Sequence, residues 1–170
     1  MLATISYYTH LTLLKSKPQD GPTSATLQKI LLLVFLLSAT AKSLVFYDMT
    51  RSMANSLIDL IFLIVFIRVM LSAKPERIHQ TLNAMLGAGV ILNSVIGIAT
   101  QNLMQGPDTK TLTEFASVAF FIIFSWVVLV HAHIIRHATE STLSVGALIS
   151  LGYSFVSTIV MVTVIGLLGI

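Results

Sequence analysis

Five long apolar stretches, separated by short polar links, constrain what this chain can fold into. The clearest covers residues 115–130, FASVAFFIIFSWVVLV, and continues without a turn signal into HAHIIRH. A helix needs about 20 mostly apolar residues to cross the hydrocarbon core of a bilayer. This run is nearly that long, so it predicts a helix that spans a membrane and emerges at a water interface through its histidines.

The composition excludes a soluble domain. Hydrophobic residues make up 55% of the 170 residues and charged residues 10%, whereas soluble chains contain about 45–50% and about 25%. The chain has no cysteine, which excludes disulfides, thiolate metal sites and cysteine nucleophiles. We predict a single integral membrane domain, residues 1–170, folded as an all-α polytopic bundle of five transmembrane helices.

The predicted spans follow an N-terminal segment, residues 1–26, which lacks the basic region of a signal peptide and is expected to be retained. Two interpretations of this segment are open: it lies in the membrane interface with its tyrosines at headgroup depth, or it is a frayed tail. The first two spans are joined by a short link and should form an antiparallel hairpin. The spans cover residues 27–46, 54–73, 81–103, 115–135 and 143–168.

The positive charges predict an orientation. Seven basic residues lie near the span ends that share a side with the N-terminus, and three lie near the opposite ends. Because short cytoplasmic loops carry the excess of Lys and Arg, the N-terminus is predicted in the cytoplasm and the C-terminus on the far side. The charges are scattered singly, so no nucleic-acid partner is predicted. The seven are Lys15, Lys17, Lys29, Arg68, Lys74, Arg77 and Arg136, and the three are Lys42, Arg51 and Lys110.

Asp59 is the one carboxylate inside an apolar run. An ionised aspartate at depth costs about 2.5–3.5 kcal/mol on insertion scales, so it needs a partner, water or a proton. The predicted partner is Lys42, near the same end of the neighbouring span, with Asn55 and Ser56 as alternative caps. The functional alternative is a proton-coupled carrier, which requires a carboxylate embedded in the membrane.

The third span carries small residues at the four-residue spacing that lets helix backbones approach closely. Ala84 and Ala88 form one stripe, and Gly89, Asn93 and Gly97 form a second. We interpret these stripes as a packing face, with Asn93 bonding across to a neighbouring helix. The alternative is a polar stripe that lines a substrate path.

Three histidines end the fourth span. His133 and His137 share a helical face at a spacing that can present two imidazoles to a metal, whereas His131 points about 200° away from His133. A third ligand would have to come from His79, Glu76 or Glu140. A b-type haem would need a second histidine at the depth of His131, and no other span supplies one. We therefore predict no cofactor and interpret the histidines as groups at the cytoplasmic edge, next to loop two (residues 74–80, between the second and third spans) and at the opposite end of the bundle from Asp59 and Lys42.

Three stretches carry a family resemblance: PQDGP before the first span, QTLNAMLGAGVILN entering the third, and WVVLVHAHIIRHA ending the fourth. Together they resemble a group of small inner-membrane proteins of proteobacteria, which are similar to the Yip1 family of five-span membrane proteins. The resemblance implies a cytoplasmic N-terminus and a C-terminus on the far side. Eukaryotic members act in membrane trafficking through small GTPases, but their Asp-Leu-Tyr-Gly-Pro signature is missing here, so no GTPase partner is carried over.

Two functional hypotheses follow. The sequence has no nucleophile motif, phosphate loop or paired carboxylates, so it is predicted not to be an enzyme. The first hypothesis is a Yip1-like scaffold or assembly protein, which associates with lipids, with membrane-protein partners or as a homo-oligomer through the small-residue face of the third span. The second is a small transporter, or the substrate-binding membrane subunit of one, in which Asp59, Asn93 and the hydroxyls of the last span line a path.

The orientation can be tested with a protease-cleavable tag attached at Ile170. In membrane vesicles of known sidedness we expect cleavage only from the side opposite the cytoplasm, because the excess of basic residues holds the N-terminal side in the cytoplasm. A tag that is cleaved only from the cytoplasmic face would contradict the orientation or the number of spans.

Overall fold

The computed structural model describes residues 2–104 and 109–169, with side chains over residues 3–101 and 118–169. This part of the chain forms six α-helices and no strand. Five of the helices are long and apolar enough to cross a membrane, which confirms the predicted all-α bundle and fits an integral membrane protein. The helices are α1 (Leu2–Thr12), α2 (Ala25–Ser43), α3 (Met49–Met70), α4 (Ile78–Met104), α5 (Thr109–Thr139) and α6 (Leu143–Leu168).

The helix ends differ from the predicted span ends. α3 begins at Met49 instead of residue 54 because Asp48 caps it, with Oδ1 accepting from the Arg51 N–H at 3.0 Å. α5 continues to Thr139 instead of ending near residue 135, so all three of its histidines lie within the helix. Hydropathy marks where an apolar stretch ends, whereas capping decides where the helix ends. The side chain of Lys110, which contributes to the charge asymmetry, lies outside the described residues.

α4 is the central helix and contacts α1, α2, α3 and α5. Residues 81–89 of this helix are all buried. Glycine makes the contacts possible: a Cβ on Gly87 would overlap the Tyr8 ring, and one on Gly89 would lie 2.6 Å from the Phe35 ring. The predicted packing face of the third span is therefore confirmed, and it is covered by helices of the same chain.

The N-terminal segment contributes a helix that packs on the bundle. Tyr8 and Leu11 of α1 are buried in the core formed with α4. The indole Nε1 of Trp126, on α5, donates to the carbonyl oxygen of Thr12 at 3.0 Å. Tyr8 is therefore packed inside the bundle, and the segment is not a frayed tail, because Gly87 leaves a slot that its ring fills.

The remaining contacts between helices place α6, the last helix, beside α3, which is the second span. α2 and α3 pack together across the short link between them, as expected for the predicted hairpin, and α5 and α6 form a second such pair. α6 also contacts α3. Residues from all five long helices can therefore meet inside the bundle.

The packing of α1 on α4 can be tested with Gly87→Ala. Its methyl group must displace the Tyr8 ring, so we expect a loss of stability of about 1–3 kcal/mol, which is typical of overpacking. Gly152→Ala is the matched control, because no atom lies within 4 Å of its Cβ position. Thermal unfolding in detergent, followed through the fluorescence of Trp126, measures both variants. If both variants unfold at the temperature of the unsubstituted protein, the docked position of α1 is wrong.

Candidate functional site

A cavity of about 190 Å³ lies inside the bundle, and all five long helices contribute polar side chains to its wall. The remaining lining is largely apolar and includes Phe35, Leu63 and Met85. Most of these polar groups lie in the middle part of their helices. The polar lining residues are Lys42 from α2, Asp59 from α3, Asn93 from α4, His131 from α5, and Tyr153, Ser154 and Ser157 from α6.

Lys42 and Asn93 are joined across the contact between α2 and α4. The Lys42 Nζ donates to Oδ1 of Asn93 at 2.8 Å. An ammonium group has donors only, so the amide must turn its oxygen toward Lys42 and its NH2 group away. Nδ2 of Asn93 is then buried without a protein partner. A buried donor of this kind needs an explanation, and a bound water or ligand is a common one.

Among the described residues, Asp59 has one hydrogen-bond partner, which lies at the cavity wall. Its Oδ1 accepts from the Tyr153 hydroxyl at 3.4 Å, which is a long hydrogen bond. The rings of Phe62 and Phe66 pack against Tyr153, with centroids 5.4 and 4.7 Å from that of the tyrosine. These rings position the hydroxyl, because Asp59, Phe62 and Phe66 follow one another along one face of α3. Most of the acceptor capacity of the carboxylate stays available to the cavity.

The predicted ion pair between Asp59 and Lys42 is not formed. Both side chains line the cavity, but the ion pairs within the described residues lie at the other end of the bundle. The predicted caps have other partners, since Asn55 donates to Ser43 at 3.4 Å and Ser56 donates to a backbone carbonyl of its own helix. Sequence order favoured the adjacent span as the partner of Lys42, but the glycines of α4 let that helix approach α2 instead.

His131 lines the cavity, so the expectation that every histidine of the fourth span lies away from Asp59 is wrong. Its ring meets Tyr153 edge on, with 5.9 Å between the ring centroids. Its Nδ1 is buried without a protein partner. The cause is the length of α5, which continues for about two turns beyond His131 and keeps it inside the bundle.

His133 and His137 share a helical face as predicted, with 4.8 Å between their ring centroids. Nε2 of His133 lies 2.9 Å from the carbonyl oxygen of Ser16, so this ring holds the N-terminal segment. His79 lies elsewhere, with Nδ1 at 3.1 Å from Oε1 of Gln28. Within the described ranges no group of three or more potential metal ligands comes together. Of the three histidines that are candidates for metal binding, His133 and His137 therefore lie together and His79 lies apart from them.

A second cavity, of about 550 Å³, adjoins the first. It also contacts Tyr47 at the end of α2 and Asn55 near the start of α3. Together the two cavities extend from that end of the bundle to His131. The residues that line both are Lys42, Asp59, Ile96 and Ser157.

Glu140 ties loop two to the end of α5 at the opposite end of the bundle, which confirms the predicted neighbour of this tip. Its carboxylate forms ion pairs with Lys74, at 2.5 Å, and with Arg77. Arg77 also donates to the carbonyl oxygens of His137 and Ala138, at 3.3 and 3.1 Å. The hydrogen bonds from Lys74 and Arg77 hold the pKa of Glu140 below its ordinary value.

Comparison with protein families, curated proteins and solved structures finds no match to this chain. The site must therefore be interpreted from its own geometry. One wall of the cavity offers the ammonium of Lys42, held by Asn93, and another offers the acceptor oxygens of Asp59. This arrangement suits a small polar solute.

Two features of the site were not predicted from the sequence. One is the partner of Asn93: its predicted hydrogen bond to a neighbouring helix is confirmed, but the sequence did not indicate that Lys42 would be the donor. The other is the hydrogen bond between Tyr153 and Asp59. The positions of Phe62 and Phe66, three and seven residues after Asp59, could have indicated an aromatic slot beside the carboxylate.

Lowering the pH should break the ion pairs of Glu140 with Lys74 and Arg77. Because the folded pKa lies below the unfolded value of about 4.3, this stabilisation is present above that value and is lost as the pH falls through the folded pKa. Hydrogen exchange at residues 74–80 and 139–143, corrected for intrinsic rates, should rise as the pH falls below about 4.3 and through the lowered pKa of Glu140.

Glu140→Gln should raise the same exchange at neutral pH and remove its acid dependence. Glu76→Gln is the control, because Glu76 is exposed and belongs to the same loop. Equal exchange in Glu140→Gln and the unsubstituted protein at neutral pH would show that Glu140 does not join the loops.

Proposed function

We propose that this chain is a non-enzymatic membrane carrier, or the solute-binding subunit of one, which binds a small polar solute between its five long helices. The observation that supports this proposal is the cavity that brings Lys42, Asp59 and Asn93 together around a buried amide donor with no protein partner. Charged side chains inside a membrane are costly, and where they occur they commonly mark substrate and ion paths.

The sizes of the two cavities support a small ligand and access from one end. The inner cavity, of about 190 Å³, is smaller than the pockets of about 300–1,000 Å³ that hold drug-sized ligands. The adjoining cavity, which shares four lining residues with it, extends to the end of the bundle near Tyr47. In the predicted orientation this end faces away from the cytoplasm, so the solute enters from that side.

The proposal includes a location in the bacterial inner membrane, with a cytoplasmic N-terminus and the C-terminus on the far side. The asymmetry of the basic residues and the resemblance to Yip1-type proteins support it. The lipid bilayer is the partner that the exposed apolar faces of the long helices suit.

The scaffold hypothesis has weaker support. It depended on the small-residue face of α4, where Tyr8 and Phe35 already cover Gly87 and Gly89. A partner protein or a second copy of the chain would have to use another surface.

Affinity selection tests the proposal even though the identity of the solute is open. Purified protein in nanodiscs is mixed with a polar extract of cells grown on carbon-13, passed rapidly through a desalting column, and the retained labelled solutes are identified by mass spectrometry. We expect the protein to retain at least one small polar solute. We expect Asp59→Asn to retain it at least about 10-fold less, which corresponds to the loss of about 1.4 kcal/mol of binding free energy.

Asp48→Asn is the matched control, because Asp48 is exposed at a helix start and asparagine caps a helix as well as aspartate. Retention should be unchanged in this variant. If the unsubstituted protein retains no labelled solute above empty nanodiscs, the proposed function is wrong.

A further inference from the structure

The two charged walls of the inner cavity specify a class of ligand. We propose that this site binds a small zwitterion, a molecule that carries one ammonium and one carboxylate group on a short backbone, as free amino acids do. The inference rests on the proposed function, because it names the solute class of the same site.

One wall is a binding site for a carboxylate. The Lys42 Nζ and the Asn93 side chain are joined at 2.8 Å, which fixes the amide so that its NH2 group points away from the lysine. Asn93 is only 6% exposed, and its Nδ2 has no protein partner. A ligand carboxylate can accept from the ammonium of Lys42, which the amide oxygen of Asn93 holds at the cavity wall, and hydrogen bonds between charged groups are the strong ones.

Asp59, on the neighbouring helix, supplies the site for an ammonium group. The Tyr153 hydroxyl occupies one acceptor position of the carboxylate through a bond of 3.4 Å. An ionised carboxylate has about four such positions, so it can accept two further N–H groups. Phe62 and Phe66 hold the tyrosine ring in place. An ammonium group therefore meets a carboxylate that is oriented before the ligand arrives.

Charge balance favours a zwitterion over an ion of either sign. Lys42 and Asp59 line one cavity without pairing with each other, so among the described residues each has only a neutral hydrogen-bond partner, and charges inside a membrane are costly. A zwitterion compensates both charges and leaves the site neutral. An anion or a cation compensates one of them and adds a net charge inside the membrane, at a cost of a few kcal/mol.

The cavity also limits the rest of the ligand. Its volume of about 190 Å³ and its apolar wall, which includes Leu63, Met85 and Val127, admit a short aliphatic group. The ring of His131 also lines the cavity and is held edge on against Tyr153. We therefore expect zwitterions the size of glycine, alanine, β-alanine or γ-aminobutyrate to fit.

The test compares alanine with two analogues that each lack one charge, propionate and ethylamine. Each is titrated into the full-length protein in nanodiscs, together with glycine, β-alanine and γ-aminobutyrate, and the unfolding temperature is measured. A ligand that binds only the folded state raises this temperature as its concentration rises. We expect at least one zwitterion to raise it, and propionate and ethylamine to bind at least about 30-fold more weakly.

Substitutions at Lys42 and Asp59 test whether each of the two walls binds the zwitterion. Lys42→Met and Asp59→Asn should each abolish the shift, whereas the exposed controls Lys29→Met and Asp48→Asn should keep it. A single substitution leaves one charge in the cavity without its counterpart. The double variant Lys42→Met/Asp59→Asn removes both charges, so it serves as the folding check. It should unfold at a temperature close to that of the unsubstituted protein and bind none of the zwitterions.

The outcomes separate this inference from the proposed function. If propionate or ethylamine binds as tightly as the zwitterions, or if affinity selection retains a solute that lacks one of the two charges, the zwitterion inference is wrong and the carrier function stands. A retained zwitterion outside the titrated set supports both. If no titrated compound binds and no labelled solute is retained, the cavity holds water only and both proposals fail.

Discussion

The close packing of α4 against its neighbours is the contact on which the rest of the bundle depends. In a bilayer the lipid is as apolar as the side chains, so close van der Waals packing and hydrogen bonds between helices replace the hydrophobic effect as the driving force. Because Gly87 and Gly89 have no side chains, the rings of Tyr8 and Phe35 can pack against them. At Gly97, the Cα atom of Lys42 lies 3.5 Å from the position that a Cβ atom would take. These contacts gather α1 and α2 on one helix and bring Asn93 within hydrogen-bonding distance of Lys42.

The same packing makes the cavity possible. Gly89 supplies part of its wall, where a larger side chain would occupy space. Around this space, Asn93 supports the charge of Lys42 and Tyr153 supports that of Asp59. Each charged group has a neutral partner that only partly compensates it. Since charges inside a membrane are costly, their retention in one cavity is the physical reason to assign it a ligand.

The two ends of the bundle differ in how their elements are joined. At one end, Glu140 binds Lys74 and Arg77, and His133 holds the N-terminal segment through Ser16. At the other end the larger cavity adjoins the inner one, between the end of α2 and the start of α3. A cavity of about 540 Å³ lies at the joined end too, but none of its lining residues lines the inner cavity.

The sequence by itself determined the number of spans, their approximate positions, the packing face of α4 and the shared face of His133 and His137. These features depend on apolar length and helical periodicity, which are local. Only the tertiary structure decided which polar groups meet. The predicted pair of Asp59 and Lys42 was wrong and His131 was assigned to the wrong region, because helix neighbours are selected by shape complementarity between distant segments and because helix ends depend on caps that hydropathy does not report.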